Sequence, residues 1–144
     1  MDDRQVILRL ISSALLSGLL GLERQLHRRA AGLRTHILVS LGSTLIMLTS
    51  IYIFDIYKGS ASVDPGRIAA GVITGIGFLG AGTIIRYGEE VRGLTTAASL
   101  WVAAALGLAV GCGFYIAALT TTALVLFALL LLRRIESKVL GKPG

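Results

Sequence analysis

The sequence predicts an all-α membrane protein of about five transmembrane helices. Of its 144 residues, 54% are apolar and 15% charged, the mean hydropathy is +0.79, and the charges cluster so that five long apolar stretches lie between them. A soluble domain carries about a quarter charged residues, whereas a crossing helix needs about 20 mostly apolar ones. Five spans use nearly the whole chain as one transmembrane domain, 1–144, with short loops. A single cysteine excludes an internal disulfide framework.

The first stretch, Val6 to Leu22, contains Arg9, whose long side chain can snorkel to the interface from near a helix end. Basic residues follow it in bulk and no small-residue cleavage site appears, so it is a span and not a cleaved leader. The second runs from Thr35 to Phe54. The third, Ile68 to Ile85, follows Asp64-Pro65, the pattern of an N-cap with proline at the first helical position. It holds Gly75, Gly77, Gly80 and Gly82, and each glycine weakens a helix by about 1 kcal/mol relative to alanine, which predicts a kink or an unwound stretch. The fourth, Thr95 to Val110, and the fifth, Phe114 to Leu132, are separated only by Gly111-Cys112-Gly113, a tight hairpin in which Cys112 is a small apolar residue or a link to a second subunit. Trp101, deep in the fourth span, is expected between helices, and Tyr52, Tyr57, Tyr87 and Tyr115 near span ends as interfacial anchors.

With the N-terminus outside, ten Lys/Arg residues face the cytoplasm (Arg24, Arg28, Arg29, Arg34, Arg86, Arg92, Arg133, Arg134, Lys138, Lys142) and four face out (Arg4, Arg9, Lys58, Arg67). The positive-inside rule therefore predicts N-terminus outside and C-terminus cytoplasmic. Basic loops at an anionic leaflet account for the net charge of +6 without nucleic acid.

A parallel repeat of helices 1–2 and 3–4 is expected. Gly18-Leu19-Leu20-Gly21 ends the first span and Gly32-Leu33-Arg34-Thr35 opens the second; Gly77-Phe78-Leu79-Gly80 and Gly93-Leu94-Thr95-Thr96 frame the next loop alike. Thr35 and Thr95 would cap their helices, and the two units would make a polar pocket on the cytoplasmic side. Gly71-x-x-x-Gly75, Gly77-x-x-x-Ala81 and Gly107-x-x-x-Gly111 also fit close helix packing.

The candidate polar site comprises Glu23, Arg24, Arg34, Thr35, His36, Arg92, Thr95 and Thr96. An acid at a basic membrane edge is the informative residue: Glu23 either ends its helix as a solvated pair or takes a cation, a proton or Arg34 across the loop. His36 can titrate near neutral pH or serve as a hydrogen-bonded structural residue. On the outer side Asp64 and Arg67 are secondary candidates; two carboxylates, Asp55 and Asp64, could hold a hydrated Mg²⁺. No catalytic triad, metal-ligand or phosphate-loop spacing occurs, so no enzyme and no resident cofactor are expected.

Several strings together resemble the membrane domain of the MgtC/SapB family: Gly21-Leu22-Glu23-Arg24, Ala31-Gly32-Leu33-Arg34-Thr35-His36, Asp64-Pro65 with Arg67, Gly75 to Gly82, and Val91-Arg92-Gly93-Leu94-Thr95-Thr96 with Trp101. The resemblance runs from about Gly18 to Gly113. It implies a multi-pass bacterial plasma-membrane protein that serves growth at low Mg²⁺ or acid stress and survival inside host cells by acting on other membrane proteins, the proton-driven ATP synthase among them. Thr95, Val102 and Gly71 depart from the Asn, Cys and Gln of virulence-type members, which weakens transfer of the virulence role. Against that family the cytoplasmic C-terminal domain of many members is expected to be missing. Small-residue helix faces suggest a homodimer. The alternative function is a small transporter or channel for an ion or small solute, suggested by the repeat and by polar groups at the ends of Gly-rich helices.

Overall fold

The computed structural model describes residues 2–59 and 63–140, with the side chains of 133 and 136–140 outside the description. Of the residues in the charge count, Lys142 lies outside the described residues, as do the side chains of Arg133 and Lys138. Among the described residues five helices follow one another: α1 (Asp3–Leu26), α2 (Leu33–Tyr57), α3 (Pro65–Ala81), α4 (Leu94–Gly111) and α5 (Tyr115–Leu140), with a two-stranded antiparallel hairpin, β1 (Ile85–Tyr87) and β2 (Glu90–Arg92), between α3 and α4. Four helices among the described residues (α1, α2, α4 and the Tyr115–Leu132 part of α5) are long and apolar enough to cross a membrane. The 17 residues of α3 sit at the lower end of the range of about 17–25 for a span.

The distribution of polarity is that of a protein dissolved in lipid. Phe78 is 82% exposed and Ile116 77%, while Ser13, Ser17, His36, Ser40, Thr44 and Ser50 are fully buried. Lipid supplies no hydrogen-bond partners, so these hydroxyls and the His36 imidazole turn inward, beside a small aliphatic core that includes Leu20, Leu106 and Val110, while many other aliphatic side chains face outward. Among the described residues α4 packs against all four other helices and α2 against α1, α3 and α4, which places α2 and α4 at the centre.

Small residues permit the central crossing. A Cβ on Gly107 would run into the Ser40 carbonyl oxygen and lie 2.7 Å from Ser43 Cβ, and one on Gly111 would lie 2.7 Å from Met47 Cβ. The Gly107-x-x-x-Gly111 face is therefore the α2–α4 contact. By contrast, a Cβ on Gly71, Gly75 or Gly77 meets nothing within 4 Å.

Several sequence expectations are corrected. The third span ends at Ala81, with Gly82 as its C-cap, because residues 85–92 form the hairpin. Gly75, Gly77 and Gly80 lie within continuous helix; with every backbone N–H and C=O needing a partner, unwinding costs more in lipid than glycine's weak propensity. Gly32 and Gly93, not Thr35 and Thr95, occupy the N-cap positions of α2 and α4. Gly93 adopts φ +91°, and a side chain there would strike the Thr83 carbonyl, so the chain turns from hairpin into helix only with glycine. Arg9 is half-buried and donates through Nη1 to the Gly111 carbonyl at 2.7 Å, at the C-terminus of α4. Trp101 is 49% exposed on the outer surface, and Cys112 is exposed. Asp64 caps α3 as the sequence indicates, its Oδ1 accepting from Gly66 N at 2.8 Å.

Candidate functional site

The last turn of α1 carries Glu23 and Arg24 into the bundle, with 6% and 5% exposure. The helix continues past the expected Leu22 to Leu26, which keeps both residues on its packed side. Glu23 Oε1 lies 2.8 Å from Nδ1 of His27, one turn on. Nη1 of Arg24 stands 3.8 Å from Oε2, a charge contact too long for a hydrogen bond. Glu23 Oε2 is buried with no hydrogen-bond partner, a costly state for a carboxylate oxygen and a marker of an acceptor in reserve.

Gly21 brings α2 against this turn, since a Cβ there would stand 2.7 Å from Leu33 Cα and 2.9 Å from His36 Cβ. Gln25 Oε1 accepts from Leu33 N at 3.2 Å, serving a free N–H at the start of α2 from the neighbouring helix. His36, one turn into α2, is fully buried: Nδ1 is 2.9 Å from the Gly32 carbonyl and Nε2 3.1 Å from Ser99 Oγ of α4. Ser99 Oγ is also 2.8 Å from the Thr96 carbonyl.

Deeper in the bundle the seam continues as hydroxyls. Ser13 Oγ and Ser40 Oγ are 2.6 Å apart, and Thr44 Oγ1 lies 2.7 Å from Ser13 Oγ, 2.9 Å from the Ser40 carbonyl and 3.0 Å from the Gly107 carbonyl. Ser17 Oγ donates to the Ser13 carbonyl at 2.8 Å. These groups join α1, α2 and α4.

The structure brings Glu23, Arg24, His36 and Thr96 into this buried seam, whereas Arg34, Thr35, Arg92 and Thr95 are exposed. Glu23 faces His27 and Arg24 where the sequence also allowed Arg34. Arg92 pairs with Glu90 at 3.0 Å in the hairpin, which raises its pKa through the hydrogen bond and the nearby negative charge. Thr35 and Thr95, the residues expected to open a polar pocket between the two units, are both exposed; a separate groove within the second unit, between α3 and α4, is apolar and lined by Ile76, Gly80, Ala97 and Trp101. Asp64 and Arg67 lie at the far end of α3, both exposed, as is Asp55 at the end of α2. Among the described residues no three His, Cys, Asp or Glu side chains gather as a metal cluster.

Sequence reading missed Ser13, Ser17, Ser40, Thr44, Ser99, His27 and Gln25. The signal was there for the hydroxyls: Ser13/Ser17 and His36/Ser40/Thr44 recur at i, i+4 within apolar spans, which puts each set on one helix face.

The family model described as the MgtC family matches residues 10–138. The chain belongs to the MgtC family. It is 46% identical over 148 aligned residues to "Protein MgtC" of Salmonella typhimurium, covering 99% of this chain and 61% of that protein. It is 41% identical to "Putative magnesium transporter YhiD" of Escherichia coli K12, covering 96% of this chain and 65% of that protein, and 44% identical to "Protein MgtC" of Brucella abortus, covering 86% and 50%. The chain thus spans half to two thirds of the length of these MgtC-family relatives. No solved structure matches it.

Proposed function

We propose that this MgtC-family bundle is a non-enzymatic regulator in the bacterial plasma membrane, supporting growth at low Mg²⁺ or in acid by acting on other membrane proteins. The observation that carries the reading is the 46% identity to proteins named MgtC over nearly the whole chain. The physical form of the bundle supports it: interior hydroxyls bond to each other and to backbone carbonyls, while long apolar faces look outward to lipid and to any membrane partner. Such a partner, the proton-driven ATP synthase being the one the family resemblance suggests, would be met helix to helix. The open Gly71/Gly75 face of α3 supports a homodimer, since small residues let helices approach closely.

The test is a deletion strain grown in limiting Mg²⁺ and at low pH. The expected result is poor growth, restored by the wild-type chain; undiminished growth of the deletion contradicts the reading. A second reading, transport of an ion or small solute, is favoured by Glu23 Oε2, buried at the end of α1 without a hydrogen-bond donor, and by the magnesium-transporter name of the YhiD relative. Mg²⁺ keeps several of its waters and needs few protein oxygens. Purified protein in liposomes that moves Mg²⁺ or protons down a gradient supports transport; liposomes as tight as protein-free controls count against it.

A further inference from the structure

The hydrogen-bond frame around His36 has a property that a structural histidine does not need. Nδ1 faces the Gly32 carbonyl at 2.9 Å, and a carbonyl only accepts, so Nδ1 always carries a proton. Nε2 faces Ser99 Oγ at 3.1 Å, and that hydroxyl has a second partner, the Thr96 carbonyl, at 2.8 Å. A hydroxyl donates once and accepts up to twice. With His36 neutral, Ser99 donates to Nε2. With His36 protonated, Nε2–H donates to Ser99 Oγ and the same hydroxyl turns to donate to Thr96. Both ring nitrogens are satisfied in both states, and the change between them needs only rotation of one hydroxyl.

We propose that His36 and Ser99 form a buried proton-binding site, in which His36 takes up and releases a proton and Ser99 changes partner between α2 and α4. The proton adds to Nε2 and no other bond is made or broken. Uptake places a positive charge at the junction of three helices, and the groups that face it decide its effect. From α1 these are Glu23 and Arg24, whose charges both act on His36, and His27, which pairs with Glu23. From α4 come only the uncharged Thr96 and Ser99. On α2 itself Arg34 is exposed; Arg67, the charge on α3, is at the opposite end, and Arg134 of α5 is exposed. His36 lies one turn from the loop 27–32, where residues 28–30 are exposed, so a proton has a short way in.

The chain has two histidines, so ¹⁵N-histidine NMR of the full chain in nanodiscs of phosphatidylethanolamine and phosphatidylglycerol resolves His36 once His27→Gln assigns the other ring. The expected spectrum shows Nδ1 protonated at every pH and Nε2 passing from unprotonated to protonated as pH falls from 9 to 4. Ser99→Ala removes the acceptor of the Nε2 proton and is expected to weaken proton uptake about tenfold or more, because hydrogen bonds to charged groups exceed those to neutral ones; Ser99→Thr keeps the hydroxyl and is expected within twofold of wild type. A bare Nδ1 with protonated Nε2, an Nε2 that never changes across this range, or Ser99→Ala leaving the titration unmoved overturns the proposal. The wild-type tautomer decides it even if Ser99→Ala does not fold.

Discussion

The α1–α2 and α3–α4 hairpins share a framework and enclose opposite things. In each, a late glycine meets the first turn of the next helix: Gly21 against Leu33 and His36, Gly80 against Ala97 at 3.6 Å. Aligning Gly32-Leu33 with Gly93-Leu94 puts His36 and Ala97 at equivalent positions. The first hairpin turns Ser13, Ser17, His36, Ser40 and Thr44 into the bundle. The second leaves Phe78, Trp101, Gly71, Gly75 and Gly77 on the outside, with an exposed β-hairpin for a loop. Lipid gives apolar side chains no reason to hide, so polar groups that need partners decide which helices go to the centre. The same backbone pattern thus yields a polar seam in one copy and a lipid-facing groove in the other.

Substitutions can break this contrast, and the largest effect is expected at the helix crossing that closes the seam. Gly107→Leu should destabilise the bundle by about 3 kcal/mol or more, since overpacking against backbone cannot be relieved by a rotamer change. Gly77→Leu, on the open face of α3 where an added Cβ meets nothing within 4 Å, should not destabilise it and should stabilise α3 by up to about 1 kcal/mol through helix propensity. Unfolding by steric trapping in nanodiscs reads both, and similar values would erase the distinction. Next, Glu23→Ala should cost about 1–3 kcal/mol by removing the buried carboxylate that faces His27 Nδ1 at 2.8 Å, whereas Glu90→Ala in the exposed hairpin should leave the unfolding curve unmoved. Ser13→Ala should cost about 1–2 kcal/mol, since its hydroxyl bonds both Ser40 and Thr44 of α2. Smallest of all, Gly71→Ala should stabilise α3 by up to about 1 kcal/mol through helix propensity, unless a second copy packs there, in which case crosslinking through the exposed Cys112 should fall with it.

Much of this organisation is legible in the sequence because lipid imposes simple rules. Apolar runs place five helices, Asp64-Pro65 marks the start of α3, and Gly111-Cys112-Gly113 marks the α4–α5 turn. The ends were harder, because helices run past the apolar stretch when a polar residue finds a protein partner, as Glu23 and Arg24 do. Residues 85–92 contain Ile85, Tyr87 and Val91 among charges, and apolarity alone does not separate the end of a span from a short strand. Within the site, Glu23 and His36 stand out as polar residues at a span edge, but Ser99 emerges only when α4 is seen packed parallel to α2. Its 63-residue separation from His36 leaves no local signal.

The functional account rests on the α1–α2 end of the bundle, and one complementation series tests it most directly. A deletion strain should be supplied with the wild-type chain, Glu23→Gln or Gly77→Ala, with equal amounts verified in the membrane, and grown in limiting Mg²⁺. Wild type and Gly77→Ala are predicted to restore growth and Glu23→Gln to fail; full rescue by Glu23→Gln at wild-type membrane levels would contradict the account.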